Sequence, residues 1–263
     1  MTCILIMKNK RIKILVATHK AFKMPKDDMY LPIHVGREGK ADLGFAGDNT
    51  GENISTKNSS WSELTGLYWG WKNLDCDYMG LVQYRRHFMF KRKKEIFESI
   101  LTQSEAAQLL DLADIILPVK RNYRIMTLEE HFNGYDFSID SDLDNLRKVI
   151  HSISPEYDKA VDRVMLRRSG HMCNMFIMKK TLVDDFCEWE FEILNSLEKI
   201  IGNDRKRIIG YVAEHMLDIW IEKNGYQYVE CKVALLDKKN EFDRRFDFLM
   251  RILGLNRRRI QLK

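Results

Sequence analysis

The chain has 263 residues, of which 45% are hydrophobic and 31% charged, and its 43 Lys and Arg against 38 Asp and Glu give a net charge of +5. This composition supports one sizeable apolar core, and 14 Gly with 4 Pro exclude collagen-like and low-complexity sequences. The positive surplus is confined to residues 238–263, which hold nine basic and three acidic side chains. The near-neutral remainder lacks the basic face of a nucleic-acid-binding protein, so no nucleic-acid partner is expected.

Residues 12–17 form a short β-branched run that predicts a buried first strand, and the run ends at Thr18 and His19. Residues 20–60 are rich in turn formers and poor in helical periodicity. We therefore predict a long irregular segment there, of the kind that is usually functional in a compact domain. Leu and Trp side chains then recur at helical spacing, which predicts a first helix over 60–74.

The second predicted strand covers residues 78–82, and an alternation of helices and strands follows it. The further helices are predicted over 104–112, 127–132, 141–152, 155–166, 181–201 and 205–223, and the further strands over 115–117, 175–178 and 228–233. Strands that alternate with helices predict an α/β fold with a mostly parallel sheet flanked by helices. Because the sequence has no internal repeat and no linker, residues 1–237 are expected to form a single domain.

Residues 238–263 are expected to form a separate basic tail. Apolar side chains recur there at helical spacing between clusters of Arg, namely Phe242, Phe246, Leu249 and Leu253. This pattern predicts a basic amphipathic C-terminal helix suited to an anionic membrane surface. The alternative is that the helix packs on the domain and leaves only its last residues solvated.

The five cysteines are scattered and show neither a C-x-x-C pair nor a zinc-type spacing. A disulfide framework and a structural zinc site are therefore not expected, whereas a reducing, cytoplasmic compartment is. The longest apolar runs fall far short of the ~20 residues that span a bilayer, and no signal-peptide pattern occurs. Together with the tail, these features predict a cytoplasmic protein that is peripheral on the inner face of the plasma membrane.

Ligands of open α/β sheets bind outside the carboxyl ends of the strands, so the residues that follow each predicted strand are candidates for the site. Thr18 and His19 follow the first strand, and Tyr84, Arg85 and Arg86 follow the second. Two adjacent arginines in this position suit a diphosphate, because the guanidinium presents a rigid fork of donors. The alternative is that the two side chains diverge and pair with structural acids.

A carboxylate in the helix predicted over 205–223 is a candidate general base. Glu214 lies among Tyr, Val, Ala, Met and Leu residues, so partial burial would raise its pKa. The alternative is a salt bridge on the helix face with Arg207 or Lys223. The D-x-D sequence at 75–77 precedes a strand instead of following one, so it predicts a polar turn, and no metal site is expected.

Seven short motifs occur in one order and, together with the segments between them, span most of the chain. They are V-A-T-H-K-x-F-x-M-P (16–25), Y-x-P-I-x-V-G (30–36), G-D-N-T-G-E-N-I-S-x-K-N (47–58), E-L-T-G-L-Y-W-x-W-K-N-L (63–74), G-L-V-Q-Y-R-R-H-F (80–88), N-M-F-I-M-K-K (174–180) and G-Y-V-A-E (210–214). Together they resemble the bacterial capsular and exopolysaccharide biosynthesis family known as domain of unknown function 4422. The resemblance implies a single-domain glycosyltransferase of the GT-A type, and some members of the family resemble galactofuranosyltransferases that use UDP-galactofuranose.

The resemblance also implies roles for single residues. The donor-binding residues that it implies are Thr18, His19, Asp48, Asn53 and Tyr84. Arg85 and Arg86 would lie near the diphosphate of the donor. Asn174 would line the acceptor side, and Glu214 would be the catalytic base.

Two positions depart from the family's pattern. Gln83 stands where the family usually has His, which implies altered contacts with the donor. His215 follows Glu214 where the family usually has Arg, which removes a cation beside the implied base.

We therefore expect a glycosyltransferase that moves a hexose or galactofuranose from a UDP-sugar to a glycan or undecaprenyl-linked acceptor in surface polysaccharide biosynthesis. Because no D-x-D follows a strand, the site is expected to need neither a divalent metal nor a cofactor, with Arg85 and Arg86 neutralising the leaving UDP. Inversion at the anomeric carbon is carried over from the family. The alternative is a non-catalytic protein on the same fold that binds polyanions or membranes, with salt-dependent affinity and no consumption of a nucleotide sugar.

Overall fold

The computed structural model of the chain describes residues 10–134 and 141–236. The strands in these ranges are β1 (Ile12–Thr18), β2 (Tyr30–His34), β3 (Ala46–Gly47), β4 (Tyr78–Gln83), β5 (Arg86–Met89), β6 (Ile115–Pro118), β7 (Arg121–Asn122), β8 (Ser169–Gly170), β9 (Phe176–Lys179) and β10 (Val229–Leu235). The helices are α1 (Asn58–Trp61), α2 (Leu64–Asn73), α3 (Gln103–Leu109), α4 (Leu128–Asn133), α5 (Ser141–Ile153), α6 (Asp158–Met165), α7 (Lys180–Ile201), α8 (Ile208–Ala213) and α9 (Met216–Asn224). Short 3-10 helices cover Ser55–Lys57, Ile96–Ser99 and Pro155–Tyr157.

The β-branched run near the start of the chain forms a strand in the interior of the sheet. Six of the seven residues of β1 are buried, and β2 and β4 flank it in parallel. The predicted strand over 12–17 is thus confirmed, and so is the one over 78–82, which corresponds to β4. β3 extends the sheet beyond β2 by a two-residue parallel pairing.

The sheet is mixed, so the prediction of a mostly parallel sheet is wrong. Its strand order is β3-β2-β1-β4-β5-β10-β6-β9, with a further pairing between β4 and β9. Among the described residues four of its strand pairings are parallel and four are antiparallel. Two residues separate β4 from β5, and so short a connection permits only an antiparallel turn.

Six described strands end at the same edge of the sheet, which we call the carboxyl edge. β2 and β4 are parallel to β1, and β3 is parallel to β2. β6 runs with β4 because both are antiparallel to β9, and β10 is parallel to β6. The residues that follow these six strands therefore lie along the carboxyl edge. This is the place where open α/β sheets hold their ligands.

Two predicted helices, over 60–74 and over 205–223, are each broken in two. The first divides into α1 and α2 at Ser62, whose φ of 53° lies in the left-handed region. The last divides into α8 and α9 next to Glu214. Gly210 of α8 approaches the Ser62 turn so closely that a Cβ on it would lie 3.0 Å from the Ser62 Cβ. The close approach of α8 to this turn therefore depends on a glycine.

Apolar clusters cover both faces of the sheet. In the larger one, Phe191 of α7 stacks on Trp61 and on Trp71 with ring centroids 5.7 and 5.6 Å apart. No helix among the described residues has the length and apolar character needed to cross a membrane. The predicted C-terminal amphipathic helix and the domain boundary at residue 237 lie outside the described residues.

Candidate functional site

A pocket of about 850 Å³ opens at the carboxyl edge. His19 after β1, Gly36 after β2 and Arg85 after β4 line it, together with Ser59 of α1 and Arg207 before α8. The pocket thus lies where the neighbouring parallel strands β2, β1 and β4 end, as expected for an open α/β sheet. Its volume is within the range of small-molecule and cofactor sites.

Four basic side chains line this pocket, whereas only two of its lining residues, Glu38 and Glu63, are acidic. The basic residues are Lys40, Arg85, Lys206 and Arg207. None of these four has a carboxylate at ion-pair distance within the part of the chain that the structure describes. Burial and then the positive charges of Lys20 and Arg85 lower the pKa of His19, so its ring is neutral near pH 7. The pocket therefore suits an anionic ligand.

Arg85 presents an unsatisfied donor in this pocket. Its Nε is buried and donates to no acceptor among residues 10–134 and 141–236. The guanidinium carbon lies 5.8 Å from the ring centroid of Tyr84, a buried side chain that His19 and Phe22 contact edge-on. Because a buried donor is costly without an acceptor, this position fits an anion that accepts hydrogen bonds.

Of the residues predicted to bind a donor, His19 and Tyr84 line the pocket, and Thr18 and Asn53 do not. Thr18 is buried, and its Oγ1 donates to the Lys20 carbonyl at 2.6 Å, which closes the turn after β1. Asn53 is exposed and forms hydrogen bonds within its own loop. Thr18 therefore supports the wall that His19 forms, and Asn53 shapes a surface turn.

Asp48 holds together the loop that forms one side of the pocket. It is fully buried and accepts four hydrogen bonds, from the amides of Gly36 (2.7 Å) and Arg37 (3.0 Å) and the hydroxyls of Ser55 (2.5 Å) and Thr65 (2.6 Å). These bonds join the loop after β2 to the short helix before α1 and to α2. The contacts of Asp48 are therefore architectural.

The contacts of Asp48 predict a loss of stability when the carboxylate is removed. Asp48→Ala should lower the free energy of unfolding by about 2–4 kcal/mol, because four donors, three of them in buried hydrogen bonds, lose their acceptor. Urea denaturation measures the change, and Asp28→Ala, which removes an exposed carboxylate, should stay within about 0.5 kcal/mol of the parent chain. An Asp48→Ala variant with unchanged stability but weakened ligand binding would contradict the architectural role.

Glu63 is a site residue that the sequence patterns did not reveal. It opens the motif at 63–74, but an acid at the start of a helix is common, and the motif alone assigned it no role. Glu63 lines the pocket, and its Oε1 accepts hydrogen bonds from Gln83 Nε2 (3.0 Å) and Asn174 Nδ2 (3.1 Å). Asn174 is buried and also donates to the Gly210 carbonyl at 3.2 Å. Asn174 therefore fixes Glu63 and does not itself line the pocket.

Glu214 lies close to Glu63 and titrates near neutrality. Burial, and next the negative charge of Glu63, raise the pKa of Glu214 to about 7. The positive charges of Arg86 and Arg207 and a hydrogen bond from the Cys173 backbone oppose the rise. The residue as a whole is half-buried, and it lies behind the pocket wall instead of among the residues that line it. Such a carboxylate can accept a proton at physiological pH.

Arg85 and Arg86 belong to different parts of the site. Arg85 lines the pocket, whereas the Nη1 of Arg86 donates to the Oε1 of Gln83 and its charge acts on Glu214. The two side chains thus diverge, which was the alternative to a shared diphosphate site. The carboxylate on which Arg86 acts, however, belongs to the site and is not a structural acid. Gln83, one of the two departures from the family's pattern, is the residue that connects Arg86 to Glu63.

The second departure, His215, points into the core. It is buried, its ring contacts Phe132 edge-on, and burial lowers its pKa to about 4. Position 215 therefore supplies no charge to Glu214 here, and the cations that act on this carboxylate are Arg86 and Arg207.

The D-x-D sequence at 75–77 lies at the opposite edge of the sheet, before β4. Both of its acids bind the guanidinium of Arg11, Asp75 at 2.9 Å and Asp77 at 3.1 Å. The predicted polar turn is confirmed. Within the described ranges no three His, Cys, Asp or Glu side chains form a group that could hold a metal ion.

Comparison with known proteins relates the chain to one family and one solved structure. The family described as "Domain of unknown function (DUF4422)" matches residues 13–225. The apo structure of the bifunctional glycosyltransferase WbbM is similar at 28% sequence identity with a TM-score of 0.80, over 87% of this chain and 46% of that chain. The chain therefore spans less than half the length of that relative. Its sequence matches no curated protein.

Proposed function

The chain belongs to the DUF4422 family, and from this premise we propose that it is a glycosyltransferase with a nucleoside diphosphate sugar as donor. Its similarity to a bifunctional glycosyltransferase supports glycosyl transfer as the class of reaction. The observation that carries the proposal is a basic pocket at the carboxyl edge next to a carboxylate whose pKa is about 7. Glycosyl transfer needs both parts, a neutralised leaving group and a base for the acceptor.

The pocket would hold the donor, a UDP-hexose or UDP-galactofuranose. We assign the diphosphate to Arg85, because its guanidinium fork has a buried donor without an acceptor among the described residues. Lys206 and Arg207 line the same wall and add positive charge around the phosphates. With these cations neutralising the leaving UDP, the reaction is expected to proceed without a divalent metal.

Glu214, which is close to Glu63 of the pocket wall, would act as the base for the acceptor hydroxyl. The acceptor oxygen loses its proton to Glu214 and attacks the anomeric carbon of the donor sugar. The bond from that carbon to the β-phosphate oxygen breaks, and UDP leaves with the electron pair. Attack opposite the leaving group would invert the anomeric configuration. Glu63 and Arg86 act on this step by setting the pKa of Glu214.

The acceptor would be a glycan or an undecaprenyl-linked glycan of a surface polysaccharide such as capsule, exopolysaccharide or O-antigen. The enzyme would then work on the cytoplasmic face of the plasma membrane. The basic tail predicted over 238–263 would add membrane affinity, and its deletion should weaken liposome binding while donor binding persists.

A panel of UDP, GDP, CMP and dTDP with their sugars, with and without EDTA, tests the proposal by thermal shift and by nucleotide release. We expect UDP to stabilise the chain selectively, by about 3 kcal/mol at one hundred times its Kd, and EDTA to leave this unchanged. Stabilisation that EDTA removes would contradict the role given to the arginine. Salt-dependent polyanion binding without any nucleotide effect or turnover would favour the non-catalytic alternative.

A further inference from the structure

Positively charged side chains cluster around the two-stranded sheet of β7 and β8. The β7–β8 pairing places residues 119–125 next to residues 166–168, and we call these two segments together the basic ribbon. Their backbones are joined by the β7–β8 pairing and by a hydrogen bond of 2.8 Å from the Tyr123 amide to the Arg168 carbonyl. The basic ribbon contains five Lys and Arg residues and no acid.

Three of these cations are exposed and form no ion pair with the residues that the structure describes. Arg121, Arg124 and Arg168 are exposed, and none has a carboxylate at ion-pair distance in the described part of the chain. The other two have partners, because Arg167 binds Glu222 and Lys120 donates to a tyrosine hydroxyl. The exposed guanidiniums therefore favour an external anionic partner.

Exposed aliphatic side chains stand among these arginines. Val119 is 49% exposed, Ile125 60% and Leu166 67%. They are three of the seven large apolar side chains that are exposed in the described part of the chain. Clustered apolar groups surrounded by arginines are typical of a surface that enters the headgroup region of a bilayer, where long basic side chains reach the phosphates.

The basic ribbon lies at the same edge of the sheet as the pocket. It follows β6, which ends at the carboxyl edge, and β8 leads after three residues to Asn174, which holds Glu63. The charge of Arg121 acts on the Cys173 thiol, as do the charges of Glu214 and Arg86. The ribbon thus adjoins the side of the site on which Glu214 lies.

The chain also leaves the described fold at this edge. β10 ends at Leu235, which pairs with Arg86, and the Leu236 amide donates to the Arg85 carbonyl at 2.9 Å. The last described residue, Leu236, therefore lies beside Arg85 of the pocket.

We propose that the basic ribbon docks on an anionic phospholipid bilayer and turns the carboxyl edge toward the membrane. Docking in this orientation would present Glu214 to an acceptor held in the lipid. The proposal goes beyond the reaction assigned above, and vesicle binding without any substrate tests it separately. Failure of vesicle binding and failure of sugar transfer are therefore distinguishable.

Co-sedimentation of the full chain with phosphatidylcholine vesicles, with and without phosphatidylglycerol, tests the docking surface. We expect binding only with phosphatidylglycerol and a loss of about 5-fold in the partition coefficient for each removed charge. The test variant is R124N/R168Q, in which Asn suits the left-handed φ of 61° at position 124. A second variant, Ile125→Asn, removes an apolar contact.

Matched controls remove the same groups elsewhere. Residues 91–94 hold four consecutive exposed basic residues after β5, away from the carboxyl edge, so R92Q/K94Q removes the same charge. Ile200→Asn matches Ile125→Asn, because Ile200 is 57% exposed on α7. The proposal is overturned if either control weakens vesicle binding as much as its test variant, or if neutral vesicles bind equally well. It is likewise overturned if R124N/R168Q keeps its thermal stability and binds vesicles like the parent chain.

Discussion

Glu214→Gln should lower kcat for sugar transfer by about 10²–10⁴-fold, because the acceptor hydroxyl loses the group that accepts its proton. The amide has the shape of the carboxylate, so UDP affinity and thermal stability should not fall. Steady-state kinetics with a UDP-sugar and isothermal titration with UDP measure the two quantities on the same protein.

The exposed Glu188 on α7 provides the matched control, and Glu188→Gln should leave kcat unchanged. Glu63 is the rival for the role of base, since it lines the pocket directly. If Glu63→Gln abolishes turnover while Glu214→Gln keeps it, the assignment of Glu214 is wrong.

The same assignment fixes the pH dependence. With a pKa of about 7, Glu214 is protonated at low pH, so kcat/KM should rise with pH and level off above about 7. Glu63→Gln removes a negative charge that raises this pKa, so the rise should move to lower pH. Arg86→Met removes a positive charge that lowers it, so the rise should move to higher pH. Shifts of opposite sign are the expected signature, and two unchanged profiles would exclude Glu214 as the titrating group.

Arg85→Ala should raise the KM for the UDP-sugar and lower kcat/KM by about 10²–10³-fold, because the leaving diphosphate loses its guanidinium. The effect arises from a donor that is buried in the pocket and has no acceptor in the described part of the protein. Arg85→Lys keeps the charge but loses the fork, so it should recover only part of the activity.

The exposed Arg92 offers the control, since Arg92→Ala also removes an arginine, after β5 and away from the carboxyl edge, and should leave the kinetics unchanged. A test with UDP alone separates binding from chemistry. Unchanged UDP affinity in Arg85→Ala would place the diphosphate elsewhere and contradict the proposed orientation of the donor.

The strands that sequence patterns predicted are those whose own residues carry the signal. β1 and β4 are apolar runs that the sheet buries almost completely, and each extends only one residue beyond its predicted end. β2 was hidden because Pro32 interrupts it within a stretch of turn formers. The sheet tolerates Pro32 because β3 pairs with β2 only at Ile33 and His34, so the outer edge beside Pro32 is open.

β5 was missed for a different reason. It begins with Arg86, the second of the two arginines after β4, and its pairing partner β10 lies far along the chain. His87 is buried against Tyr30, with ring centroids 5.5 Å apart, and burial lowers its pKa to about 4. A four-residue segment with two apolar side chains is too short to show a strand pattern by itself, so this strand depends on its tertiary environment.

In the site, too, the features that follow from local sequence were predicted and those that depend on tertiary contacts were not. Strand ends located the pocket, because the carboxyl edge of a sheet follows from the order of strands and helices. They did not reveal Glu63, whose position depends on the left-handed turn at Ser62 and on the close approach of Gly210. Nor did they separate Arg85 from Arg86, since that separation depends on Gln83.

A crystal structure of the chain with UDP would show whether the basic pocket at the carboxyl edge holds the nucleotide of a sugar donor. We expect the diphosphate within hydrogen-bond distance of the Arg85 guanidinium, with Glu214 on the open side of the β-phosphate. UDP bound at another surface, such as the arginines of the basic ribbon, would contradict it.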